Sequence, residues 1–262
     1  PSYTTENHIS MPVEAYNEYF VNSVDVNGNL SDRSEYVGAH NLHYGPNLVS
    51  FSVLPEDTSP ESVLTVDEVA GILGEGVASQ ELPTGDWVGS LIDISADNGY
   101  WVKADGAVVL PVVGNKIVVT DFNLHFGANL IGYSCSNYGA PQDLIENDHV
   151  YAIIGEGIAA QNLNGMWVGS LSNLEPGKGY WFKADENTEL SYDCPDTEIS
   201  SREYIEPVYK DYAQSIEQAF YFFEDIDGIE VGDRVEAYSG SELVGSRIWS
   251  GPYTDVPAMG RD

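Results

Sequence analysis

Alternation with a period of two runs through most of the chain. In "NLVSFSV" (47–53), Leu48, Ser50 and Ser52 point one way and Val49, Phe51 and Val53 the other, the pattern of a strand with two unlike faces. Trp87, Gly89 and Leu91 share a face, as do Tyr100 and Val102, while Trp101 points with Lys103. Residues 16–37 set Tyr19, Val21 and Ser23 against Phe20, Asn22 and Val24, then reach a tight turn in "DVNGN" (25–29). "QAFYFFEDI" (218–226) reads as a strand, and "DGIEVGDRVEAYSGSELVGSRIW" (227–249) as two more around a Ser-Gly-Ser turn. Only "TVDEVAGIL" (65–73) and "QDLIENDHVYAII" (142–154) leave room for a short helix, with Asp or Thr near the start.

The pattern repeats. "NLHYGPNLVSFSV" (41–53) returns as "NLHFGANLIGYSC" (123–135), and "GILGEGVAS" (71–79) as "AIIGEGIAA" (152–160). "GDWVGSL" (85–91) returns as "GMWVGSL" (165–171), and "GYWVKAD" (99–105) as "GYWFKAD" (179–185). The offset drifts from 82 to 80, so the deletions fall between matched blocks, as they do when blocks are strands and gaps are loops. The expected organisation is all-β. Two homologous β modules at 41–113 and 123–194, joined by "GNKIVVTDF", stand between a terminal stretch (1–38) and a further β unit (204–262). The chain opens at Pro1, and the last unit stops at Asp262 as if cut, so a processed product or a piece of something longer is expected.

Charge narrows the function. The formal net charge is −32, from 42 acidic and 10 basic residues. Such a surface repels phosphate backbones and anionic lipid, which excludes nucleic-acid partners and membrane binding. No apolar run is long enough to insert in a bilayer. A solvated acidic surface and carboxylate sites for Ca²⁺ are both compatible with this charge, and in so acidic a chain the repeat-matched Lys103 and Lys183 are each expected to pair with a nearby carboxylate. The densest acidic turn is "EDIDGIEVGD" (224–233), which makes Asp225, Asp227, Glu230 and Asp233, with Glu224, the candidate Ca²⁺ ligands.

Other motifs carry less. "WVGSL" lacks the second glycine of a nucleophile elbow. "GEGVA" and "GEGIA" place Glu75 and Glu156 where a phosphate cradle needs bare amides, and read as turns. "DVNGNLSD" (25–32) begins like a calcium loop, but Leu30 and Tyr36 stand where Gly and an acid are required. The repeat-matched His43 and His125 read as packing rather than metal ligands. Trp87, Trp101, Trp167 and Trp181 are either core side chains or a platform for stacking sugars. Cys135 and Cys194 flank the second module: either they bond, closing its ends in an oxidising compartment, or they are two buried thiols. No nucleophile–base pair is shared by the copies, so no catalytic residue is assigned and an enzyme is not expected.

Two resemblances add to this. Residues 16–37 resemble the last two strands of a fibronectin type III domain, where an aromatic-x-Val-x-small-Val-Asp strand enters an Asn-Gly turn. Residues 45–51, 98–103, 127–133 and 176–183 resemble a module of secreted and cell-surface proteins of bacteria, marine ones especially; Pro46 and Ala128 stand where that module opens with Trp. The resemblance implies an exported, modular β protein. The expected function is an extracellular structural or adhesive scaffold, partnered by copies of itself or by other surface proteins. The alternatives are a phage fibre or decoration protein and a glycan-binding accessory region of a secreted hydrolase.

Overall fold

The computed structural model describes residues 16–22, 29–195 and 212–261 of the 262-residue chain. The protein is all-β, made of antiparallel sheets with only single-turn helices among the described residues. In the first module the strand Gly45–Ser50 pairs with Gly99–Ala104, followed across the sheet by Val69–Leu73, Ala78–Glu81 and Trp87–Gly89. In the second, Gly127–Gly132, Gly179–Ala184, Val150–Ile154, Ala159–Leu163 and Met166–Gly169 follow in the same order. The register slips at matching places, between Val69 and Gly71 and between Val150 and Ala152. Tyr36–Leu42 with Val108–Lys116 forms a second sheet in the first module, and Asp121–Leu124 with Thr188–Ser191 does so in the second.

Each module has its own core. Val49, Phe51, Ile72, Tyr100, Val102 and Leu110 fill the first; Ile131, Tyr133, Ile153, Tyr180, Phe182 and Leu190 fill the second. The "Gly-x-Asn-Leu" motif builds the hairpin that leads in. Gly45 and Gly127 turn at φ +96° and +104°, a conformation that only glycine adopts without strain. The buried Asn47 amide accepts from the His43 N–H at 2.8 Å and donates to the His43 and Gly45 carbonyls at 2.9 Å; Asn129 ties the second hairpin in the same way. Such fully bonded amides fix a turn that burial alone would not. Cys135 and Cys194 are joined in a disulfide across 59 residues, closing the ends of the second module.

The helices are Pro60–Val63 and Pro141–Leu144, each opened by a proline whose fixed φ suits a first turn. The second overlaps the helical window expected at 142–154. In the first module the helix lies ahead of 65–73, because Val69–Leu73 is needed as the central strand beside Gly99–Ala104.

The boundary expected between residues 38 and 41 falls inside the strand Tyr36–Leu42. Asn17–Tyr19 pairs with Val37–Ala39 of that strand, so residues 17–19 extend the second sheet of the first module. Ser23, Val24 and most of the expected 25–29 turn lie outside the described residues. The extension is pinned by a largely buried ion pair between Glu18 and Lys116. Glu18 also accepts from Ser52 Oγ at 2.7 Å and Ser136 Oγ at 3.0 Å, so one carboxylate ties the terminal strand to both modules.

In the third unit Gln218–Phe223 pairs with Thr254–Met259, and Arg234–Ser239 with Glu242–Ile248. Residues 204–211 of its expected span lie outside the described residues.

Candidate functional site

The densest meeting of titratable and aromatic residues is the seam between the two modules, and it is reciprocal. Glu156 of the second module bonds His43 Nε2 at 2.5 Å and the Leu48 N–H at 3.1 Å in the first. Glu75 of the first bonds His125 Nε2 at 2.5 Å and the Leu130 N–H at 2.8 Å in the second. Backbone bonds mirror one another too: Ser50 N–H donates to the Gly177 carbonyl and Gly132 N–H to the Asp97 carbonyl, both at 2.9 Å. Matched patches meeting matched patches are the geometry of an isologous dimer, here within one chain.

The heptapeptides sit at the centre. A Cβ on Gly99 would lie 2.8 Å from the Ile131 carbonyl oxygen and 3.1 Å from Gly179 Cα; one on Gly179 would lie 2.7 Å from the Val49 carbonyl oxygen. The two glycines are therefore back to back, with no room for a side chain. Tyr100 and Tyr180 turn into their own cores, where each hydroxyl accepts a loop amide at 2.8 Å, from Ser95 and Glu175. Leu48, Leu130 and Trp101 form a buried cluster at the seam, with Trp181 packed against it. Lys103 and Lys183 make no ion pair among the described residues, which corrects the expectation that each pairs with a carboxylate. They stand opposite Pro46 and Ala128 on the strand, where Lys103 is exposed and Lys183 half-buried.

Hydrogen bonding fixes the charge states. His43 Nδ1 faces the Tyr44 carbonyl at 2.8 Å while Nε2 faces a carboxylate; His125 repeats this with the Phe126 carbonyl. Two acceptors require two N–H groups, so each ring is an imidazolium when both bonds are made. The bond to Glu156 raises the His43 pKa; the Phe126 carbonyl and then Glu75 raise that of His125. Burial would raise the Glu156 carboxyl, but Lys178, His43 and the Leu48 amide together hold it down at about 2.

The sign of the pH dependence follows. The histidine contribution is complete below the ordinary value of 6.5 and is lost as pH rises through the raised folded values. The Glu156 contribution is complete above 4.5 and is lost as pH falls towards about 2. Thermal unfolding against pH should show the seam strongest between 4.5 and 6.5. The double variant His43→Gln/His125→Gln should flatten the alkaline limb and shrink the acid limb without abolishing it, because Lys178 and the Leu48 amide still hold Glu156 down. An unchanged alkaline limb would remove the imidazoliums from the seam's stability.

A cleft of about 210 Å³ opens beside the seam, lined by Leu48, Glu156, Ile158, Glu175, Lys178 and Tyr180. Its volume is below the ~300 Å³ of small ligand pockets. Lys178 lies 3.7 Å from Glu156, and burial raises the pKa of Glu175.

The third unit docks on the second module through a separate polar set. Asp255 is almost fully buried and accepts from the Ser170 N–H and Ser170 Oγ, both at 2.7 Å. Arg247 pairs with Asp255 at 3.1 Å and donates to the Gly157 carbonyl at 2.8 Å. The Gln218 carboxamide accepts from the Gly157 N–H at 3.1 Å and donates to the Gly155 carbonyl at 2.7 Å.

The four candidate indoles are not gathered on one platform. Trp101 is buried in the seam with Trp181 beside it, whereas Trp87 and Trp167 pack against the separate cores of the two modules. Of the candidate Ca²⁺ ligands, Asp233 accepts from the Glu230 N–H at 2.9 Å and so closes its own turn. Asp225, Asp227, Glu230 and Asp233 are not brought together as ligands, and no group of three or more His, Cys, Asp or Glu able to hold a metal ion occurs among the described residues. No helix among them is long and apolar enough to cross a membrane.

The residues that sequence reasoning missed are Glu75 and Glu156. They were read as turn residues, and they do stand in turns, beside Gly76 and Gly157 at φ +72° and +69°. Their retention in both copies, together with a retained histidine, was the available signal. No protein-family model matches the chain, and comparison with curated proteins and with solved structures finds no match.

Proposed function

We propose that the chain is a non-catalytic structural part of an extracellular scaffold, such as a stalk, filament or surface layer. One observation carries this reading: the residues shared by the two modules are used in packing and in joining the modules. Gly99, Gly179, Trp101, Trp181, His43, His125, Glu75 and Glu156 all lie at the seam. The disulfide supports an oxidising location, since such bonds persist outside the reducing cytosol.

Stretching single molecules from end to end tests the reading. The third unit should release first, and the two modules should then yield together as one load-bearing block. The 59-residue span closed by the disulfide should stay hidden until a reductant is added, when about 200 Å of extra contour length appears. Modules that extend at forces no greater than those straightening an unstructured chain would contradict a mechanical role. Saturable binding to a glycan array would move the assignment to a carbohydrate-binding region.

A further inference from the structure

The internal duplication provides a comparison within one molecule. On the second module, the turn Gly155–Ile158 and the strand end Val168–Ser170 are covered by the third unit. The first module has the matching segments "GEGVA" (74–78) and "WVGSL" (87–91), in which Gly76, Val77, Ala78, Val88 and Ser90 are exposed among the described residues. Gly157 and Ala159 are buried while Gly76 and Ala78 are exposed. Val77 and Val88 stand 39% and 47% exposed, whereas their counterparts Ile158 and Val168 are half-buried.

The chemistry of the covered face is retained on the bare one. The third unit uses the Gly157 amide and carbonyl, the Gly155 carbonyl, and the amide and hydroxyl of Ser170. The Gly76 amide and carbonyl, the Gly74 carbonyl and the Ser90 hydroxyl stand at the matching positions, whereas the Ser90 amide already donates to the Ala78 carbonyl at 2.8 Å. Gly169 and Gly89 are each required by the neighbouring strand of their own module, since a Cβ would collide with the carbonyl oxygen of Ala159 and of Ala78 respectively; at Gly169 the Phe222 ring of the docked unit adds a contact at 2.9 Å. A surface with exposed valines beside backbone groups already shaped for one kind of partner is a docking surface, not a random apolar patch.

We propose that this face of the first module binds a β domain of the same kind as residues 212–261, presented by another chain. That partner brings an Arg–Asp pair onto Ser90 and Gly76, and a carboxamide onto the Gly74–Gly76 turn. Its arginine suits a chain of net charge −32.

The chain's own third unit serves as the probe. Ser170→Tyr places a bulky side chain where Asp255 sits, and Val168→Arg places a charge under the covered face. Release of the third unit is read directly as faster exchange of the Gly157 N–H, in whichever variant achieves it. The released unit should then seat on the first module of a second molecule. Sedimentation should show concentration-dependent association, and at 90% occupancy the Gly76 N–H should exchange about tenfold more slowly. Adding Ser90→Tyr should abolish both effects. Release without association and without slowing at Gly76 overturns the proposal, as does association that survives Ser90→Tyr.

Discussion

Replacing Gly99 with valine should break the seam and lower stability by about 3 kcal/mol, the upper range for forcing bulk into a packed interior. A Cβ there meets the Ile131 carbonyl oxygen at 2.8 Å and Gly179 Cα at 3.1 Å, and both are backbone atoms that cannot rotate away. The facing strands are pushed apart, which partly hydrates Leu48, Leu130 and Trp101. Tryptophan emission should shift to the red along with the drop in melting temperature. Gly106→Ala is the control: its Cβ would meet only Glu68 Cγ, at 3.6 Å, and stability should stay within about 0.5 kcal/mol. A silent Gly99→Val would mean that the modules do not touch through this strand.

Glu18→Ala should cost about 3–5 kcal/mol, because it leaves the Lys116 ammonium buried without its partner. The side chains are 12% and 13% exposed, so little water is available to replace the lost carboxylate. Burial lowers the Lys116 pKa even with Glu18 present, so in the variant the ammonium tends to lose its proton. Lys116 keeps one acceptor, the Ser134 carbonyl at 2.9 Å, which does not offset a full charge. Chemical denaturation measures the loss, and the double variant Glu18→Leu/Lys116→Met should recover much of it, since it removes both charges. A single-variant cost below about 1 kcal/mol would be that of an exposed pair and would contradict a buried latch.

The strands were legible because alternation fixes which residues face inward. Val49, Phe51, Tyr100 and Val102 face the core, as the period of two requires. What the opposite face meets depends on where the second module sits. Leu48 and Trp101 stand on that opposite face, and they are buried against Leu130. Nothing local to Gly99 marks it as a contact point, because the atoms that exclude its side chain lie more than thirty residues away, at Ile131 and Gly179. Lys103 and Lys183 looked like partners for carboxylates in so acidic a chain. Net charge gives the average field but not the neighbour; among the described residues Lys116, Lys178 and Arg247 do pair with buried or partly buried acids. Residues 16–37 were read by local likeness to the last strands of a fibronectin type III domain, and pairing partners distant in sequence leave no periodic trace. The strand Tyr36–Leu42 pairs with Val108–Lys116, more than sixty residues on.

The account rests on two matching modules locked into one unit by reciprocal contacts. Native-state hydrogen exchange of the seam amides tests it most directly. Ser50, Gly132, Leu48 and Leu130 N–H groups all bond across the seam. They should exchange with the same opening free energy as one another and as central core amides such as Ile72 and Ile153, because the two modules open together. Seam amides that exchange freely while both cores stay protected would show two independent beads, and the account would fail.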